Sequence, residues 1–238
     1  MTIRVSDRPA SERFYDAVLP AVGLTEPRRG DLYSEWGDFS IAQADDTKPV
    51  TRRLHVAFAA PSREKVDEFW RAGTQAGYRD EGPPGLRPHY GEDYYGGFLL
   101  DPDGNSVEAV HMGDMGASGT IEHLWIRVRD VAVSKRFYET IASYSRFMLN
   151  ADTPDRAQFV GAEASFSVVA GEAAENIHLA FPAPENATLD DFHRAAIEAG
   201  YRDEGPPGER PIYHHGYYGA FILDPDGNNV EVVNHNRG

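Results

Sequence analysis

One stretch of this chain is written twice. From Tyr78 to Val110, 24 of 33 positions are identical to those 123 residues later, against about one match in fifteen to twenty by chance. YRDEGPPG opens at Tyr78 and at Tyr201, and DPDGN opens at Asp101 and at Asp224. His55 and His178 share the offset, as do Glu108 and Glu231, and Phe14-Tyr15 and Phe137-Tyr138. The chain is therefore a tandem duplication, and whatever one copy folds into the other must also adopt. Two domains are expected, at 1–112 and 121–238, joined by the small, polar linker GDMGASGT at 113–120. Each is long enough to bury its own core.

Each copy reads as two successive strand–helix–strands modules. In the second, 121–130 is a strand, followed by a helix over about 133–143 whose Phe137, Tyr138, Ile141 and Tyr144 recur at helical spacing. More strands end at Ala170, a polar loop covers 171–176, and Ile177–Phe181 is a strand again. Thr188 and Asp191 form a candidate capping box for a helix that Gly200 stops. The GPPG at 205–208 is expected as a rigid loop, because proline lacks an N–H. A hairpin closes the copy, with Tyr217–Leu223 and Asn229–Asn234 joined by DPDGN. The first copy follows the same path, with helices at 11–19 and 62–76, Ser62 as N-cap and Gly77 as stop. This order of hairpins and helices predicts an α+β fold with largely antiparallel sheets.

Composition narrows the function. The net charge of −15 disfavours nucleic acid and anionic membranes as partners and leaves small molecules. Absence of cysteine excludes disulfides, thiolate metal sites and a Cys nucleophile. The start is polar, without an apolar signal core or spanning segment, so the expected location is cytoplasmic. There is no Gly-rich phosphate loop before a helix and no G-x-S-x-G.

Three residues of the second copy suit a metal. His123 lies early in its first strand, His178 early in the first strand of its second module, and Glu231 on its closing strand. Two imidazoles and one carboxylate suit a divalent ion such as Fe, Mn, Ni, Co or Zn, with open positions for a substrate. The first copy keeps His55 and Glu108, but a counterpart of His123 would fall before Met1, so the first domain is expected to carry a degenerate metal site and to support the second. His123 has two possible sets of partners: His178 and Glu231 within its own copy, the assignment preferred here, or His55 and Glu108 if modules pair across copies. Tyr213, His214, His215 and Tyr217 crowd the last hairpin, and His214 or His215 is a candidate general acid or base. Arg210 and its partner Arg87 either bind an anionic group or hold the GPPG segment by its carbonyls.

The motifs HLWIRV with the later FY helix, IHLAF, and YYGAFILDPDGNNVEVV resemble the vicinal oxygen chelate proteins: glyoxalase I, bleomycin-resistance proteins, fosfomycin-resistance enzymes and extradiol dioxygenases. The resemblance covers nearly the whole chain. It implies two glyoxalase-like domains of paired βαβββ modules that curve into a cup around a divalent metal, with His123, His178 and Glu231 at the family's ligand positions. It further implies a metal-dependent enzyme on a small oxygenated molecule. The departures matter. Glyoxalase I adds a glutamate closing the first module, where this chain reads FSVVAG before Glu172. Extradiol dioxygenases carry a tyrosine where this chain has Phe221, a substrate-pocket residue here with Tyr213, Tyr217 and Arg210. Lyase or isomerase chemistry is thus favoured over ring cleavage. The alternative is a metal-free cup that sequesters a drug, as bleomycin-resistance proteins do. The duplication is compatible with a monomeric pseudo-dimer or a homodimer.

Overall fold

The computed structural model describes residues 1–113, 120–162 and 164–236. Of the expected linker, residues 114–119 lie outside the described residues. Four βαβββ modules follow one another. The first has β1 (Thr2–Val5), α1 (Arg8–Val18), a 3-10 turn at Leu19–Val22, β2 (Arg28–Arg29), β3 (Ser34–Trp36) and β4 (Phe39–Gln43). The second has β5 (Leu54–Ala59), α2 (Arg63–Gln75), β6 (Arg79–Leu86), β7 (Tyr95–Leu100) and β8 (Ser106–His111). The third has β9 (Ile121–Val128), α3 (Val131–Ser145), β10 (Met148–Thr153), β11 (Arg156–Val160) and β12 (Ser165–Ala170). The fourth has β13 (His178–Pro182), α4 (Asn186–Glu198), β14 (Arg202–Glu209), β15 (Tyr218–Leu223) and β16 (Asn229–Asn234). The fold is α+β, as the pattern predicts.

By contacts the chain divides between Ile126 and Arg127, into a 2–126 unit and a 127–238 unit. Most of β9, which opens the second repeat in sequence, thus belongs to the first unit. There, β1 runs parallel to β4, which continues antiparallel to β3 and then β2. The other strands run in the order β9-β5-β8-β7-β6, with β5 parallel to β8 and all other neighbours antiparallel. In the second unit β10-β11-β12 is an antiparallel meander, and the other order is β14-β15-β16-β13, with only β13 and β16 parallel.

The repeated sequence makes repeated contacts. Asp7 caps α1 by accepting from the Ala10 N–H at 3.0 Å, and Asp130 caps α3 by accepting from Val133 at 3.0 Å. Both helices bury a Phe-Tyr pair set edge to face at 4.9 Å. Phe14 meets Tyr78 and Phe137 meets Tyr201, each at 4.8 Å. The tyrosine hydroxyls reach the DPDGN turns, Tyr15 to Asp101 at 3.1 Å and Tyr138 to Asp224 at 3.3 Å.

Those turns fix the strands that carry the histidines. Asp101 Oδ1 accepts from the N–H groups of Asp103 and Asn105 at 2.9 and 2.8 Å. Asn105 Oδ1 in turn accepts from the Leu54 N–H at 3.2 Å, one residue before His55, and its Nδ2 donates to Thr51 O at 3.1 Å. Asn228 does the same for Ile177, one residue before His178, at 3.0 Å. Asn105 is buried. Asn105→Ala orphans the Leu54 donor and is expected to cost about 1–3 kcal/mol, read as a lower midpoint in urea unfolding.

Two local expectations are corrected. The helix expected to start with a Thr188–Asp191 box begins earlier, at Asn186 after Glu185, and its cap residue makes no side-chain bond. Thr188 is already in the first turn, its N–H donating to Glu185 O. The GPPG segments are not loops. They lie in β6 and β14, the end strands of their orders, and each pairing carries two register shifts. An end strand with bulges is where a chain can place prolines without losing ladder bonds. Arg87 and Arg210 hold these segments, each donating to a proline carbonyl at 2.7 Å, Pro83 and Pro206 respectively.

Candidate metal centre

Strand register brings His55, Glu108 and His123 together. In β5, Ala57 pairs with Glu108 of β8 on one side and with His123 of β9 on the other. His55 lies two residues before Ala57, so strand alternation puts it on the same face. Ala57 contributes only a methyl between its two polar neighbours. The donor atoms converge: His55 Nε2 is 3.1 Å from Glu108 Oε2 and 3.3 Å from His123 Nε2, and His123 Nε2 is 3.6 Å from Glu108 Oε2. Three donors about 2.0–2.2 Å from one ion, at angles between right and tetrahedral, stand roughly 2.8–3.6 Å apart. The triangle fits a first-row divalent ion, and among the described residues this is the group of three or more His, Asp or Glu with such convergence.

Each of the three is anchored by its other end. His55 Nδ1 is 2.8 Å from Ser106 Oγ. His123 Nδ1 meets the carboxylate of Glu122, which only accepts when ionised, so a neutral His123 presents a lone pair at Nε2. Glu108 Oε1 accepts from the Tyr94 hydroxyl at 2.7 Å. Burial and then the charge of Glu108 hold the Tyr94 phenol well above its ordinary pKa, so it stays a donor. Glu108 itself is 1% exposed. A carboxylate so buried needs a positive partner, and a cation among these donors would supply it.

Gly96 makes room for the carboxylate. A Cβ there would fall on Glu108 Oε1 and within 3.1 Å of the Tyr94 ring. Gly96→Ala is expected to turn Glu108 out of position and weaken metal binding by about 10–100-fold, measured by calorimetric titration with Zn(II), while the circular dichroism spectrum is retained. Around the trio stand Phe98, paired with Glu108 across the hairpin, and Trp125, whose ring lies 6.2 Å from that of His55. Tyr90 packs edge-on against Trp125 at 5.5 Å and contacts Tyr94 at 5.2 Å.

The 127–238 unit holds the other expected residues. His178 Nε2 is 2.8 Å from Glu231 Oε2, and Tyr217 donates to Glu231 Oε1 at 2.6 Å. Phe221 pairs with Glu231 across the hairpin and lies 6.2 Å from the His178 ring. Arg210 stacks over Phe221 at 5.4 Å while holding Pro206. Tyr213 packs on Tyr217 at 4.7 Å. His214 Nδ1 donates to the His215 carbonyl at 2.8 Å, and the His215 side chain is exposed. His123 therefore meets His55 and Glu108, the pairing across repeats, because β9 pairs with β5; His178 and Glu231 form a pair of their own. Sequence reasoning did not single out Glu122, Tyr94 or Gly96. The signal for the last two was present, since Tyr217 and Gly219 repeat them 123 residues on.

Four βαβββ modules in tandem, with two histidines and a glutamate on one face of three neighbouring strands, define the class of fold. The glyoxalase/bleomycin resistance protein/dioxygenase superfamily matches the chain over residues 1–109 and 120–232, and the chain belongs to that superfamily. Among solved structures it is similar to glyoxalase I from Zea mays, at 18% identity and a TM-score of 0.70 over 98% of this chain and 90% of that one. It is also similar to a candidate dioxygenase from Bacillus subtilis, at 13% identity and a TM-score of 0.67 over 100% and 85%. At these identities the likeness speaks for the fold. No curated protein sequence matches significantly. Among the described residues, no helix is long and apolar enough to cross a membrane.

Proposed function

We propose that the chain is a divalent-metal-dependent enzyme acting on a small molecule with two neighbouring oxygens, and that His55, Glu108 and His123 are its metal ligands. The observation that carries this reading is the convergence of three anchored donors on one face of β9, β5 and β8. A bound divalent ion would act there as a Lewis acid that polarises substrate oxygens. The chain's own residues do the rest. Glu122, Ser106 and Tyr94 hold the donors in orientation. Phe98, Trp125 and Tyr90 line one side of the trio with aromatic rings on which a substrate could pack. Phe98 stands beside Glu108 without a hydroxyl, and the Tyr94 hydroxyl is already committed to Glu108. Neither is placed as a free acid of the kind ring cleavage uses, which favours lyase or isomerase chemistry.

The test is metal content and probe binding. Protein purified without chelator should hold one divalent ion per chain, and acetohydroxamate, which offers two adjacent oxygens, should bind the metal-loaded protein and not the chelated one. A second reading, sequestration of a flat drug without metal, is favoured by one observation, the half-exposed Tyr90 ring set against Trp125. Absence of metal, and no uptake of added Fe(II), Mn(II), Ni(II) or Zn(II), would replace the enzyme reading by that one.

A further inference from the structure

The 127–238 unit carries a second imidazole pair that the trio does not involve. His214 Nε2 lies 2.9 Å from His235 Nδ1, with the two rings 21° apart in plane and 5.2 Å between centroids. We infer that His214 and His235 form a separate metal site, which takes Cu(II) or Ni(II) through two imidazole nitrogens with water in the remaining positions.

The tautomer of His214 is set by its surroundings. Its Nδ1 donates to the His215 carbonyl at 2.8 Å, so in the neutral ring Nε2 carries the lone pair that faces His235. Anchoring one ring nitrogen on a backbone carbonyl is the usual outer-shell arrangement of a metal-binding histidine. Without metal the pair is joined by an N–H···N bond from His235. With metal, His235 takes the other tautomer, its proton on Nε2, and the Nδ1 lone pair joins that of His214 Nε2 on the ion.

The spacing suits Cu(II) or Ni(II). Two nitrogens about 2.0–2.1 Å from one ion stand about 2.9 Å apart at a right angle, and about 3.3–3.4 Å apart at the tetrahedral angle. The observed 2.9 Å is the length of the N–H···N bond in the metal-free pair and equals the cis spacing of a tetragonal ion, so Cu(II) or Ni(II) would enter without parting the rings, whereas Zn(II) would need them about 0.4–0.5 Å further apart. Cu(II) also stands highest in affinity for nitrogen donors.

The pair is held in place. The Tyr217 ring flanks both imidazoles nearly at right angles, at 5.2 and 5.3 Å, and its hydroxyl is fixed on Glu231. Residues on either side of His235 are tied down: Asn234 Nδ2 donates to Asn186 Oδ1 at 2.8 Å, and Asn236 Nδ2 donates to Gly216 O at 2.8 Å. Ligands immobilised before binding lose little entropy on binding. The pair also belongs to one copy alone. At the positions 123 residues earlier the first repeat has Gly91 and Met112, neither of which offers an imidazole. This inference is independent of the His55–Glu108–His123 reading.

The experiment uses the full chain with His55→Ala and His123→Ala, which removes the trio. Titrated with Cu(II) in a non-coordinating buffer and followed by electron paramagnetic resonance, this variant should take up one equivalent with a tetragonal spectrum showing nitrogen couplings. Adding His214→Ala or His214→Gln should abolish that signal with the circular dichroism spectrum unchanged; the glutamine keeps the bulk should alanine disturb the hairpin. The inference is overturned if the double variant binds no Cu(II), if the signal survives both His214 substitutions, or if His178→Ala removes it while His214→Gln does not.

Discussion

Replacing His123 by alanine is expected to abolish the divalent-metal binding proposed for the trio, and replacing His178 to leave it in place. The argument is one of strand pairing. His123 Nε2 lies 3.3 Å from His55 Nε2 and 3.6 Å from Glu108 Oε2, so its removal leaves two donors and an open side. Loss of an outer partner alone typically weakens a site by about 10–100-fold, and loss of a direct donor should exceed that range. His178 directs its Nε2 at Glu231 at 2.8 Å, within a different unit from the trio. Zn(II) titration of the two single variants reads the difference, with a chromophoric chelator as competitor for the tight case. Wild-type affinity in the His123→Ala variant, or loss of tight binding in His178→Ala, would sink the assignment of the trio.

The largest effect on stability is expected from Phe58→Ala. Phe58 lies on β5, the strand that carries His55, and is fully buried. Its ring meets Phe39 edge to face at 5.4 Å, and Phe39 in turn packs on Tyr15 at 4.8 Å. Truncation removes a large apolar surface and leaves a cavity that the aromatic neighbours cannot fill, at a cost of about 3–5 kcal/mol. For a unit of this size that is roughly a 10–20 °C drop in melting temperature, measurable by scanning calorimetry. A fall of less than a few degrees would mean that the cluster repacks around the gap.

Much of this architecture is legible in the sequence because the chain states it twice. The Phe-Tyr pairs mark the helices, and DPDGN marks the hairpins, since both depend on local spacing and turn chemistry. Ser62 caps α2 by accepting from the Lys65 N–H, and Gly77 and Gly200 adopt the left-handed conformation expected of helix stops. The donors His55, Glu108 and His123 were all visible as candidates. What local pattern does not encode is which module β9 pairs with, because that depends on contacts between strands 60 or more residues apart in sequence, as in the pairing of Ala57 with His123. Two pairings of His123 stayed open for that reason. The GPPG strands were hidden by their prolines, which a β-ladder tolerates only at an end with bulges, and position within a sheet is a property of the assembled fold.

The division of the chain at 126/127 bears on how such a duplicated protein can be taken apart. A cut between the repeats, at the glycine-rich segment near residue 115, would hand His123 to one fragment and leave His55 and Glu108 on the other. Neither piece would own a complete donor set, and reassembly would depend on fragment concentration. Covalent continuity turns that encounter into an intramolecular one, with an effective concentration fixed by the tether and not by expression level.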